Sequence, residues 1–167
     1  MLGHLFEAAA MKDRVIQSPI GPLKITVDDG FLTEIAWFTS AEQTSQPSED
    51  LHPLLDQVET ALSEYFLSTN SHWSLPIRLH GTEFQKQVWQ ALTDIPPGKT
   101  TSYADIAAAI GKPAAVRAVG TAIGKNPIPI VIPCHRVIGS NGSLTGFSGG
   151  LDKKRWLLRH ESSGRVG

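Results

Sequence analysis

A single cysteine, Cys134, occurs among the 167 residues, and this scarcity excludes an internal disulfide framework as the source of stability. Histidine occurs six times, yet no C-x-x-C or H-x-x-x-H spacing is present, and Cys134-His135 without an upstream C-x-x-C is not a haem attachment. Neither a metal nor a cofactor is expected. Long apolar runs are also missing. None could span a bilayer and no signal peptide is evident, which predicts a cytoplasmic protein with no membrane association and a thiol that stays reduced. No obligate protein partner is evident. The length suits one compact domain or two small ones, enough to bury about two-thirds of the surface of the unfolded chain.

The net charge of −1 hides an uneven distribution. Residues 1–80 hold 4 Lys/Arg against 11 Asp/Glu, net −7, and residues 81–167 hold 11 against 5, net +6. A basic half carrying Lys86, Lys99, Lys112, Arg117, Lys125, Arg136, Lys153, Lys154, Arg155 and Arg159 suits a polyanion, with the acidic half facing away. The alternative is a solvated surface with chance asymmetry.

Residues 1–10 show little pattern and are left unassigned. From Arg14 to Phe38 the chain alternates, with Leu23, Ile25 and Val27 on one face and Asp29-Gly30 as a tight turn, which predicts a β-hairpin. A polar loop over 39–50 follows. Leu51, Leu54, Leu55, Val58, Leu62 and Phe66 then recur at helical spacing, and Leu75, Ile77 and Leu79 suggest a further strand. The fold class expected is α+β: a small sheet-plus-helix domain over 1–80, acting as scaffold, and a mainly helical domain over 81–167.

The second half opens with Thr82-Glu83-Phe84-Gln85, a capping box, after which Phe84, Val88, Trp89 and Leu92 face the core. Pro96-Pro97-Gly98 breaks the chain. Ser102 to Asp105 opens a helix through Ile110, Gly111-Lys112-Pro113 stops it, and a third helix runs from about Ala114 to Gly124. This is a helix-turn-helix arrangement. The third helix is almost bare of side chains that read base edges, while its small residues would let the backbone approach a groove closely. Arg117 is its one long cation, placed to fill the gap left by a base taken out of the stack. Alternatively, this is a core helix whose alanines pack on its neighbours, with Arg117 in a surface ion pair.

Residues 126–138 hold the chemistry. Ile128, Ile130, Val131 and Ile132 read as a buried strand or extended segment, since Pro127 and Pro129 forbid a helix. It ends at Pro133 and delivers Cys134 beside His135 and Arg136, two groups able to favour thiolate. As a lone feature, Cys134 could equally pack as a small hydrophobe.

Pro133 to Arg136 with Asn126 to Pro129 upstream, Thr101-Ser102-Tyr103, Ala115 to Gly120, Thr145 to Gly150, and Trp156 to Glu161 together resemble the alkylguanine-DNA alkyltransferases, in family order. The resemblance covers residues 81–161 closely and the first half loosely. It implies a helix-turn-helix on the minor groove of double-stranded DNA and a flipped 6-O-alkylguanine, with 4-O-alkylthymine as a further candidate. The alkyl group passes irreversibly to Cys134 in a single turnover. By the same resemblance His135, oriented by Glu161, takes the thiol proton through water, Tyr103 donates to the guanine ring nitrogen N3, and Asn126 organises the turns around the site. Val137, Phe147, Ser148 and Gly149 would line the base pocket, and Tyr103, Ala115, Val116, Arg117, Ala118, Gly120 and Arg136 would face DNA. Phe147 stands where tyrosine is common in the family, and Val116 where alanine is. Two other classes stay open: a non-catalytic lesion-binding or regulatory module of the same fold, which would tolerate Cys134→Ala, and a cysteine hydrolase, which would turn over repeatedly.

Overall fold

The computed structural model describes residues 11–38, 52–68 and 73–163; the unassigned residues 1–10 and the polar loop 39–50 lie outside them. The chain divides into two compact units, Met1–Leu79 and His80–Gly167, and the class is α+β.

In the first unit the expected hairpin is part of a three-stranded antiparallel sheet, β1 (Lys12–Ile16), β2 (Leu23–Asp28) and β3 (Phe31–Trp37), in that order. Asp29 (φ 51°) and Gly30 (φ 82°) both sit in the left-handed region between paired Asp28 and Phe31. That is the turn whose twist matches its flanking strands, and it favours Asp-Gly. Leu23, Ile25, Val27, Leu32 and Ile35 are buried under helix α1 (Pro53–Ser68), which contributes Leu55, Val58, Leu62 and Tyr65. Tyr65 takes the core position that periodicity assigned to Phe66, and the two rings meet edge to face at 5.3 Å. Arg14 of β1 ties the sheet to the helix through Asp56 and Glu59 at 2.7 and 2.9 Å. The strand expected around Ile77 shrinks to a single parallel bridge with Leu32.

The second unit contains α2 (Glu83–Leu92), β4 (Thr101–Ser102), α3 (Tyr103–Ala109), α4 (Val116–Gly124), a 3₁₀ turn at Cys134–Arg136, β5 (Val137–Ile138) and α5 (Leu151–Ser163). The capping box forms: Thr82 Oγ1 accepts from Gln85 N, and Gln85 Oε1 accepts from Thr82 N. Val88, Trp89 and Leu92 are buried, and the Trp89 indole donates to Ala122 O at 2.8 Å, locking α2 to α4. Gly81 is needed before this helix, because a Cβ there would lie 2.8 Å from the Trp89 ring. Val119, Ala122 and Ile123 form the buried face of α4. Two-residue strands β4 and β5 pair in parallel, Thr101 with Val137 and Ser102 with Ile138, bringing the start of α3 beside the chain that leaves Cys134.

Candidate active site

The segment between α4 and Cys134 is buried but is not a strand. Asn126 Nδ2 donates to Ile132 O at 2.7 Å and Asn126 Oδ1 accepts from Ile128 N at 3.0 Å, so one amide staples a loop closed further by Ile132 N to Ile128 O. Ile130 sits at φ 75° with no exposed surface. A β-branched residue there costs about 1–2 kcal/mol, and it persists because burial and the Asn126 staple leave no alternative. Apolarity made this stretch look like a strand or extended segment. The prolines and the amide coil it into turns that aim the 3₁₀ turn inward.

Cys134, His135 and Arg136 are 4%, 0% and 4% exposed. Glu161, near the end of α5, is equally buried, and it receives Arg136 Nε on Oε1 and Arg136 Nη2 on Oε2, both at 2.8 Å. Arg136 Nη1 donates to Ile95 O at 2.5 Å. The bidentate guanidinium and the imidazole hold Glu161 well below the usual carboxylate range against the opposing effect of burial. An ionised carboxylate only accepts, so the 2.7 Å contact between Glu161 Oε2 and His135 Nε2 requires the proton on Nε2. Burial lowers the His135 pKa, and the ring is neutral. Its Nδ1 therefore carries a lone pair, and among the described residues it has no hydrogen-bond partner. Arg136, expected to face DNA, is corrected by this geometry: it is an internal clamp on the carboxylate.

Burial raises the Cys134 thiol from 9.0 to about 11, while a hydrogen bond from the Asn126 side chain and the charge of Lys154 work against the rise. The resting sulfur is thus a protonated thiol beside a neutral base, not a free thiolate. Lys154 was counted with the surface cations, yet it has no exposed surface. Its ammonium donates to Val137 O at 2.6 Å and Thr145 O at 2.8 Å. Burial lowers its pKa and the nearby Cys134 raises it. Lys154 joins the strand leaving the thiol to the loop before α5, and its basic neighbours in sequence masked that role.

A groove of about 570 Å³ lies along α3 and α4, walled by Tyr103, Val116, Arg117, Gly120, Thr145 and Gly146 among others. Arg117 and Ala118 are exposed, and Val116 is 38% exposed. The surface ion pair considered for Arg117 does not form among the described residues. Ala115 is the N-cap of α4 and offers no side-chain bond to its first amides, leaving those donors open to an anion. Val137 is buried at β5, while Phe147, Ser148 and Gly149 lie in the loop before α5, half-buried or exposed. The structure thus gathers Cys134, His135 and Glu161 inside with half-buried Asn126 bracing the loop before them, and Tyr103, Val116, Arg117 and Gly120 around the groove. Ala115 and Ala118 lie along the same helix outside the groove wall. Besides Lys154, sequence reading missed the Thr145 hydroxyl, 2.9 Å from the Tyr103 oxygen.

Residues 83–163 match the family described as 6-O-methylguanine DNA methyltransferase, DNA binding domain. A methylated-DNA–protein-cysteine methyltransferase of Mycobacterium bovis is 45% identical over 155 residues, 90% of this chain and 92% of that protein. Its counterpart from Shigella flexneri is 42% identical over 159 residues, 87% and 92% of the two chains. A crystal structure of Mycobacterium tuberculosis OGT in complex with DNA superposes with a TM-score of 0.80 at 44% identity, covering 91% of this chain and 93% of that one.

The electrostatics give two expected outcomes. Between pH 9 and 11 the folded chain keeps the Cys134 proton that the unfolded chain loses, so stability falls as pH rises, with a slope approaching about 1.4 kcal/mol per unit. Lys154 shifts the opposite way, and the comparison with Cys134→Ser, which retains it, removes most of that contribution. Denaturant melts across this range should show the extra loss in the parent and not in the variant; parallel curves would refute it. Arg136→Lys keeps a cation but loses the two-pronged grip on Glu161, and should reduce stability by about 2 kcal/mol. A surface phosphate contact would tolerate that change without loss.

Proposed function

The chain belongs to the methylated-DNA–protein-cysteine methyltransferases, and from that premise we propose that it repairs guanine alkylated at the 6-oxygen in double-stranded DNA by moving the alkyl group irreversibly to Cys134. The observation that carries this reading is the buried His135–Glu161 pair, closed by Arg136, in the same 3₁₀ turn as Cys134, which leaves one imidazole nitrogen without a hydrogen-bond partner among the described residues and available for a thiol proton. A hydrolase would use the same pair, but family membership and the groove along the helix-turn-helix favour DNA. Cys134 itself disfavours a purely lesion-binding role.

In this mechanism the sulfur forms a bond to the alkyl carbon as the bond from that carbon to the guanine 6-oxygen breaks, and the electron pair stays with the base. The thiol proton goes through water to His135 Nδ1, and Glu161 steadies the resulting imidazolium. Tyr103 supplies a proton at guanine N3 so that the base departs neutral, and the proton held on His135 then passes through water to restore the Tyr103 phenol, so that in the net reaction the thiol hydrogen ends on the base. Asn126 holds the loop that aims the sulfur. Val137, Phe147, Ser148 and Gly149 border the base, and with no hydroxyl on Phe147 that side recognises it by stacking. Arg117, with Ala115, Val116, Ala118 and Gly120, forms the DNA-facing helix and fills the space of the extruded base. Repair of 4-O-alkylthymine follows the same chemistry. The acidic N-terminal half serves as scaffold for the basic half that carries site and DNA surface. No described helix is long and apolar enough to cross a membrane, and a thiol that must remain reduced supports a cytoplasmic setting for the reaction.

Incubation with duplex containing methylated guanine should add the mass of one methyl group per chain, at Cys134 and nowhere else, and chelators should leave the yield unchanged. More than one lesion repaired per chain would contradict the self-alkylation reading. Arg117→Ala should slow transfer from duplex DNA by about 10-fold, from the few kcal/mol scale of base extrusion, while free alkylguanine reacts at nearly the parent rate. Equal proportional losses on both substrates would assign Arg117 to the fold instead.

A further inference from the structure

Tyr103 is the first residue of α3, whose amides are capped by Ser102 Oγ accepting from Asp105 N at 3.0 Å. Its ring lies along α4, where a Cβ built on Gly120 would be 3.7 Å from the ring. The ring is therefore directed by the backbone, but the phenolic hydrogen can still rotate about its C–O bond. Thr145 settles that rotation. Its Oγ1 lies 2.9 Å from the Tyr103 oxygen, and both residues wall the same groove. The main chain of Thr145 is anchored separately, because its carbonyl accepts from the buried ammonium of Lys154 at 2.8 Å.

A phenol holds one proton and can donate it in one direction only. If Tyr103 donated to Thr145, none would remain for a base in the groove. If Thr145 donates to the Tyr103 oxygen, the phenolic hydrogen points away from Thr145, and hydrogen bonds in series polarise one another. From this geometry we infer that Thr145 is a positioning residue for transfer, donating its hydroxyl proton to Tyr103 so that Tyr103 donates to the substrate. In the free protein the pair is exposed and water competes with it. With a base filling the groove that competition is removed, so the contribution falls on the reaction more than on stability.

This inference rests on the reading of Tyr103 as proton donor, and the experiment separates the two. Transfer from methylated duplex is followed in single turnover with the full chain in excess, giving a saturating rate and a half-saturating protein concentration. The variants are Tyr103→Phe, Thr145→Val, Thr145→Ser and the double variant Tyr103→Phe/Thr145→Val. Thr145→Val keeps the side-chain shape and should lower the saturating rate about 10-fold, leaving half-saturation unchanged. Thr145→Ser, which keeps the hydroxyl, should stay within about 2-fold of the parent. In the Tyr103→Phe background the Thr145→Val change should add nothing further. A parent-like rate for Thr145→Val, an equal loss in Thr145→Ser, a shift confined to half-saturation, or the same proportional loss with and without the Tyr103 hydroxyl would each overturn the positioning role. If Tyr103→Phe itself transfers at the parent rate, the donor reading falls, and the inference with it. A slow Tyr103→Phe with additive loss from Thr145→Val would overturn the inference alone.

Discussion

The buried carboxylate of Glu161 is the constraint around which the second half of the chain is built. An isolated charge inside a protein is prohibitively unfavourable, so the fold must bring it donors, and it does so from two neighbouring residues of the 3₁₀ turn. Arg136 grips both oxygens and turns its remaining arm to Ile95 O in the turn after α2, while His135 donates its single ring proton to Oε2. The same contacts that satisfy the charge fix the imidazole tautomer and hold the C-terminal helix against the cysteine turn. Structure and chemistry share one set of hydrogen bonds.

That arrangement explains why the sulfur is quiet at rest. Desolvation raises the thiol pKa to about 11, and the neighbouring imidazole is neutral. A thiolate made in advance would alkylate and oxidise without discrimination, and a protonated thiol avoids both. Lys154 balances the same region from the other side. Its charge is set against Cys134, and its two donor bonds tie Val137 to Thr145, so the loop bordering the groove depends on an ammonium buried behind it.

The N-terminal unit shows a different economy. Its sheet and helix bury Leu23, Ile25, Val27, Leu55, Val58 and Leu62, and among its described residues the ion pairs, such as Arg14 with Asp56 and Glu59, lie at least partly in solvent. Apolar packing is enough there because, among its described residues, no charged group is fully buried. The second unit accepts a strained Ile130, a buried lysine and a buried guanidinium, each compensated by named partners.

Much of this was legible without coordinates wherever the deciding forces act over a few residues. The Asp29-Gly30 turn, the Thr82 capping box, the helical spacing of α1 and the small-residue face of α4 are local stereochemistry, and the motifs around Cys134, Tyr103 and Glu161 carried the family resemblance. Two-residue strands such as β4 and β5 are too short to leave a periodic trace, and Tyr65 displaced Phe66 because a one-position rotation of a helix face is decided by what it meets. The apolar run at 128–132 promised a buried strand or extended segment; it is buried but turned, since hydrophobicity reports on depth and not on whether prolines and an asparagine amide will coil the backbone. Tertiary structure alone decided the fates of the charged and hydroxyl groups. Arg136 and Lys154 look like surface cations beside their basic neighbours, and Thr145 looks like a loop residue. Their roles depend on partners 25, 17 and 42 residues away. A sequence displays each charge and each hydroxyl, but whether it stays in water or moves inside depends on whether the folded chain supplies enough hydrogen bonds to replace that water.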